Sequence, residues 1–130
     1  MTTKDYMFKL LRDLDKEGFV LYYYQAYSTN SCYIKLDFGV CNSIRIADHK
    51  GKEQYPYTFN LMLGSDRSYE KDGRHFYCED DYDQLVRDIL AFRERQLEKY
   101  GFNYYDYMVN NKNDSKNRKG FWKQSRSFND

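Results

Sequence analysis

Four scarcities narrow the field for this 130-residue chain before any motif is sought. There are three cysteines, Cys32, Cys41 and Cys78, an odd number with no CxxC spacing. That pattern argues against a disulfide framework and against a zinc knuckle, and it fits buried free thiols in a reducing cytoplasm. The two histidines, His49 and His75, fall in no HExxH or HxH arrangement, so no metal site and no cofactor is expected. No window is long and apolar enough to span a bilayer. The start, Met1-Thr2-Thr3-Lys4-Asp5, lacks the basic residues and apolar run of a signal peptide. These absences predict a soluble, cytoplasmic protein with no membrane contact.

What is abundant is tyrosine, with 15 copies beside 9 phenylalanines. Tyrosine joins a large apolar body to a polar tip and suits a core edge or a binding face equally well. The net charge is only +1, 21 basic against 20 acidic residues, so the distribution of charge matters more than its sum. Acidic residues gather at Glu79, Asp80, Asp81 and Asp83, whereas the last twenty positions are basic.

Periodicity divides the chain into one domain, residues 1–109, and a basic tail, 110–130. Met7, Leu10, Leu11 and Leu14 follow the spacing of one buried helical face, with Thr2 or Thr3 as cap and Gly18 as stop. The segments 19–27, 31–37, 41–47 and 57–63 read as strands, the last started by Pro56, which holds Tyr55 extended. In 41–47, Ile44 and Ile46 share one face and Ser43 and Arg45 the other. Asp72-Gly73 is a two-residue hairpin turn, with arms at 68–70 and 75–77. Asp80 or Asp81 caps a further helix whose stripe is Tyr82, Leu85, Val86, Ile89, Leu90 and Leu97, closed by Gly101. The expected fold is α+β: an antiparallel sheet of about four to six strands packed against an N-terminal helix and a long C-terminal helix, with a flexible basic tail.

Catalytic signatures are thin. No GxSxG, Walker or GxGxxG motif occurs, and we expect no catalytic residue and no enzyme. A nuclease-like trio of Arg45, Asp48 and His49 is conceivable, but the same residues suit a polar network that fixes a loop. The acidic cluster lacks the alternation and glycine of a calcium loop and reads as helix capping. The tail is the better candidate for binding a partner or nucleic acid. Lys112, Lys116, Arg118, Lys119, Lys123 and Arg126 interleave with Phe121 and Trp122, a composition for neutralising phosphates and stacking bases. It equally suits an arm that folds onto a protein, or one that only solubilises. Tyr22, Tyr24, Arg45 and His49 form a possible second patch. Alternation puts Tyr23 on the face opposite Tyr22 and Tyr24, with either face as the core.

The run Ser31-Cys32-Tyr33-Ile34, then Ser43-Ile44-Arg45-Ile46-Ala47-Asp48-His49, then Tyr57 resembles a pattern in small phage and mobile-element accessory proteins. Those carry a "Ser-x-Tyr-Ile" strand followed by "Ile-Arg-Ile-Ser-Asp-His", and some anti-CRISPR proteins have a similar stretch. The likeness covers about a fifth of the chain. It departs at Ala47, where Ser is usual, which weakens the case for that hydroxyl as an essential group. The resemblance implies an inhibitor in the bacterial host cytoplasm that binds a host protein or ribonucleoprotein complex, such as an RNA-guided CRISPR nuclease or its guide RNA. It supplies no catalytic residues. A stand-alone single-stranded nucleic-acid binder is the alternative, and a small nuclease using His49 a second one.

Overall fold

The computed structural model describes residues 1–36, 43–49, 54, 56–103 and 125–129. Helix α1, Thr3–Asp15, starts where its sequence says it should. The Thr2 hydroxyl accepts from the Asp5 amide at 3.1 Å and the Asp5 carboxylate accepts from the Thr2 amide at 2.9 Å. This reciprocal box satisfies two of the donors that a helix start leaves open. Met7, Leu10, Leu11 and Leu14 are buried as the spacing requires. Gly18 adopts φ +83°, a left-handed conformation that other residues enter with strain, and the chain turns there into the sheet.

Among the described residues the sheet has seven strands: β1 Leu21–Gln25, β2 Cys32–Leu36, β3 Ser43–Ala47, β4 Phe59–Met62, β5 Tyr69–Lys71, β6 Arg74–Tyr77 and β7 Arg126–Ser127. Their order is β5-β6-β4-β3-β2-β1-β7. The purely antiparallel sheet expected from sequence is corrected here, because β4 runs parallel to both β3 and β6. Strand direction is set by the connection, and a parallel neighbour needs a crossover of about a dozen residues. Residues 48–58 supply that length between β3 and β4. All four residues of β4 are buried, the mark of a central strand covered on both faces.

Asp72 and Gly73 both have positive φ, 53° and 74°, and join β5 to β6 as a tight hairpin. A 3-10 turn at Glu79–Asp81 leads into α2, Tyr82–Tyr100. The chain does not finish on this helix. Residues 125–129 return to the sheet, where β7 pairs with β1 at its edge. That stretch belongs to the segment expected as a mobile tail, and the rest of that tail, 110–124 and Asp130, lies outside the described residues.

Both helices cover one face. Leu21, Ile34, Ile44, Ile46, Phe59 and Leu61 alternate onto it and meet Leu10, Leu11 and Leu14 of α1 and Leu85 and Ile89 of α2 in a single cluster. Each such large apolar side chain contributes about 1.5–3 kcal/mol when fully buried. Polar latches then tie the helices together. Tyr82 donates its hydroxyl to Asp13 at 2.6 Å, and its ring lies 5.9 Å from Tyr6 and under Lys9 Nζ at 4.2 Å. Arg93 stacks over Phe19 at 3.8 Å and donates to the Glu17 carbonyl at 2.8 Å.

Candidate functional site

A pocket opens where the start of α1 crosses the outer edge of the sheet. Its position follows from local sequence. The capping box fixes the first turn of α1, and Thr3 adds a hydrogen bond from its hydroxyl to the Asn30 carbonyl in the β1–β2 loop. Lys4 and Phe8 stand one turn apart on the same helix flank. Phe8 packs edge-on against Tyr23 of β1 at 5.5 Å, and Phe128 closes on the other side of Tyr23 at 6.4 Å. Tyr23 is therefore the member of the tyrosine triplet that faces the core.

β7 is held there by several contacts besides its two paired residues. Phe128 donates its amide to the Leu21 carbonyl at 3.0 Å, the Asn129 carboxamide accepts from the Leu21 amide at 2.6 Å, and the same side chain donates to Asp15. These bonds place Arg126 directly opposite Tyr23. The resulting pocket has a volume of about 300 Å³ and is lined by Lys4, Phe8, Tyr24, Gln25, Tyr27 and Arg126 among others. Tyr27 is 91 % exposed, a whole aromatic ring offered to solvent. Lys4 and Arg126 are exposed as well. A second cavity of about 550 Å³ adjoins it, shares Lys4 and Gln25, and carries Asp48 and Asn30.

The residues expected as a binding patch are dispersed. Arg126 lines the pocket and Tyr24 lines it with it, so one member of each expected patch meets here. Lys112, Lys116, Arg118, Lys119, Phe121, Trp122 and Lys123 lie outside the described residues. Tyr22, Tyr24 and Arg45 share the sheet face turned away from the helices, where Tyr24 and Arg45 flank Tyr33 in register. Tyr22 and Tyr24 are half-buried, but Arg45 is only 2 % exposed. Rings line up across this face, Tyr24 to Tyr33 at 6.3 Å and Tyr33 to Tyr57 at 5.3 Å. Burial and the neighbouring Tyr33 push the Tyr57 hydroxyl up to about 12.

His49 stands past the end of β3. The Asp48 carboxylate accepts from the Asn30 side chain at 3.2 Å. The acidic cluster is built into the fold in a way sequence did not foresee. Asp81 sits at the start of α2 with no side-chain cap bond. Its carboxylate takes the Ser68 hydroxyl at 2.6 Å and the Cys78 thiol at 3.4 Å, which hold it below the usual carboxylate range. Glu79 accepts from the Gly64 amide and from Tyr6. Among the described residues no cluster of His, Cys, Asp and Glu could hold a metal ion. Cys32 and Cys78 are buried free thiols, and burial pushes the Cys32 thiol up.

Lys4 and Tyr27 were absent from the expected patches. Their signal was faint: a lysine in a first helical turn and a tyrosine at the end of an expected strand carry no binding pattern. Only the pairing of β1 with β7 brings Arg126 to them. Among the described residues no helix is long and apolar enough to cross a membrane. The architecture is that of an α+β domain with a mixed seven-stranded sheet. Comparison with family models, curated proteins and solved structures finds no match to this chain.

Proposed function

We propose that the chain is a non-catalytic accessory protein of the phage type, an inhibitor that binds a host ribonucleoprotein defence complex and contacts its RNA. The observation that carries this reading is the pocket at the sheet edge. Cations from both ends of the chain, Lys4 and Arg126, flank aromatic rings around a cavity of about 300 Å³. Paired cations neutralise phosphate, and exposed rings stack bases, so together they suit an anionic aromatic polymer better than a neutral protein surface. The anti-defence part of the reading rests on the resemblance carried by residues 31–57. The nuclease-like reading through His49 gains no support from the geometry, since Arg45 is buried and Asp48 is engaged by Asn30.

The test is affinity capture of the tagged protein from bacterial lysate with and without RNase, followed by mass spectrometry and sequencing of bound RNA. The expected result is a stoichiometric nuclease subunit recovered together with its guide RNA. Bulk RNA with no stoichiometric protein would overturn the inhibitor reading. It would favour a stand-alone single-stranded nucleic-acid binder, which the same pocket also suits.

A further inference from the structure

We propose that the pocket between α1 and β7 takes one unstacked nucleotide of a single strand, its base against the Tyr27 ring and its phosphate between Lys4 and Arg126. This rests on the RNA-contact reading above and adds to it the place, the size of the unit and the residues that hold it.

Size comes first. A cavity of about 300 Å³ lies at the lower end of the range for small-molecule pockets, room for a nucleotide but not for a duplex. The chemistry of the lining comes second. Tyr27 is nearly free of packing, so its ring has no structural employment to compete with stacking. Base-on-aromatic stacking tolerates any base, because every base presents a π-face. Lys4 approaches from the first turn of the helix and Arg126 from the edge strand, so the two cations come from separate elements onto one cavity. The guanidinium offers a planar fork to phosphate oxygens and the ammonium a point charge.

The acidic neighbours bias the side that the phosphate takes. Asp5 is committed to the Thr2 amide within the capping box. Asp48 lies in the adjoining larger cavity, beside Asn30. A phosphate is repelled from that side and held on the Arg126 side. A base entering the larger cavity would meet a carboxylate and a carboxamide, groups that bond exocyclic amines. An acidic peptide would satisfy Lys4 and Arg126 but would leave the exposed ring without a stacking partner.

Fluorescence anisotropy with labelled oligouridine and oligothymidine tests the site on the full chain, with Tyr27→Ala, Lys4→Gln and Arg126→Gln as variants. All three positions line the pocket, and Tyr27 can be truncated without disturbing the core. Tyr27→Ala is expected to weaken binding roughly tenfold or more. The double variant Lys4→Gln/Arg126→Gln is expected to lower the slope of log affinity against log salt by about one. Uridine monophosphate should shift the amide resonances of Lys4, Tyr27 and Arg126, and uridine should do so more weakly. Unchanged oligonucleotide affinity in all variants would overturn the pocket while leaving RNA contact elsewhere on the protein intact. No oligonucleotide binding by the wild type, with an acidic peptide perturbing the same resonances, would overturn both readings.

Discussion

On the sheet face turned to the helices, Leu21, Ile34, Ile44, Phe59 and Leu61 are no more than 1 % exposed and belong to one apolar core cluster. At the alternate positions of the same strands stand Tyr22, Tyr24, Tyr33, Arg45 and Asn60. Arg45 and Asn60 are as buried as the leucines, and Asn60 Oδ1 finds no hydrogen-bond donor among the described residues. A buried acceptor without a partner costs about 1–3 kcal/mol. One face thus stabilises the fold through area removed from water, and the other carries polar atoms and rings at a cost. A face selected for stability alone would not be furnished this way, whereas the edge pocket opens on the helix side, beside α1.

The comparison breaks most sharply in the core. Ile34→Ala removes a fully buried side chain and should destabilise by about 2–5 kcal/mol, read as a drop in the urea midpoint. A loss below about 1 kcal/mol would mean the helix face is not the tightly packed one.

Alkaline pH should come next. The hydroxyls of Tyr57, Tyr77 and Tyr82 are all raised, first by burial; for Tyr77 and Tyr82 the adjoining Asp88 and Asp13 add to it. A raised value means the folded state holds the proton more tightly than the unfolded chain does. Stability from these groups is therefore complete below about pH 10 and is lost as pH climbs through the folded values. Urea midpoints measured from about pH 8 to pH 11 should be flat and then fall, as tyrosinate absorbance lags behind that of the unfolded protein. A flat profile throughout would put these rings in water.

Tyr82→Phe sharpens the same point at a single latch. It deletes the 2.6 Å bond to Asp13 and should cost about 1–2 kcal/mol with a shallower alkaline fall. Thr2→Ala removes half of the capping box and should cost about 1 kcal/mol by thermal or urea unfolding. Smallest of all, Tyr27→Ala should leave stability within about 0.5 kcal/mol of the wild type. A larger loss would make that ring part of the packing and remove its freedom to bind.

Local features were legible along the chain. The α1 stripe, a threonine cap at Thr2 or Thr3, the Gly18 stop and the Asp72-Gly73 turn each follow from neighbours within a few positions, where periodicity and turn chemistry act directly. The alternation of Ile44 and Ile46 against Arg45 assigned faces correctly for the same reason. Capping was the plausible reading of Asp81, yet its carboxylate goes to Ser68, thirteen positions upstream and adjacent only because β5 and β6 fold back.

The candidate site was legible only in fragments. Arg126 and Tyr24 carried the right chemistry, but they stand about a hundred residues apart, and nothing in their spacing says they meet. What the amino-acid sequence determined by itself is the buried stripe of α1, the alternation of β3 and the Asp72-Gly73 turn, because those depend on contacts within one or two turns of chain. The tertiary structure alone decided that β4 runs parallel to its neighbours and that β7 completes the far edge. It also buried Arg45 and brought Lys4, Tyr27 and Arg126 around one cavity, because strand direction and edge pairing depend on where distant segments find room on the sheet.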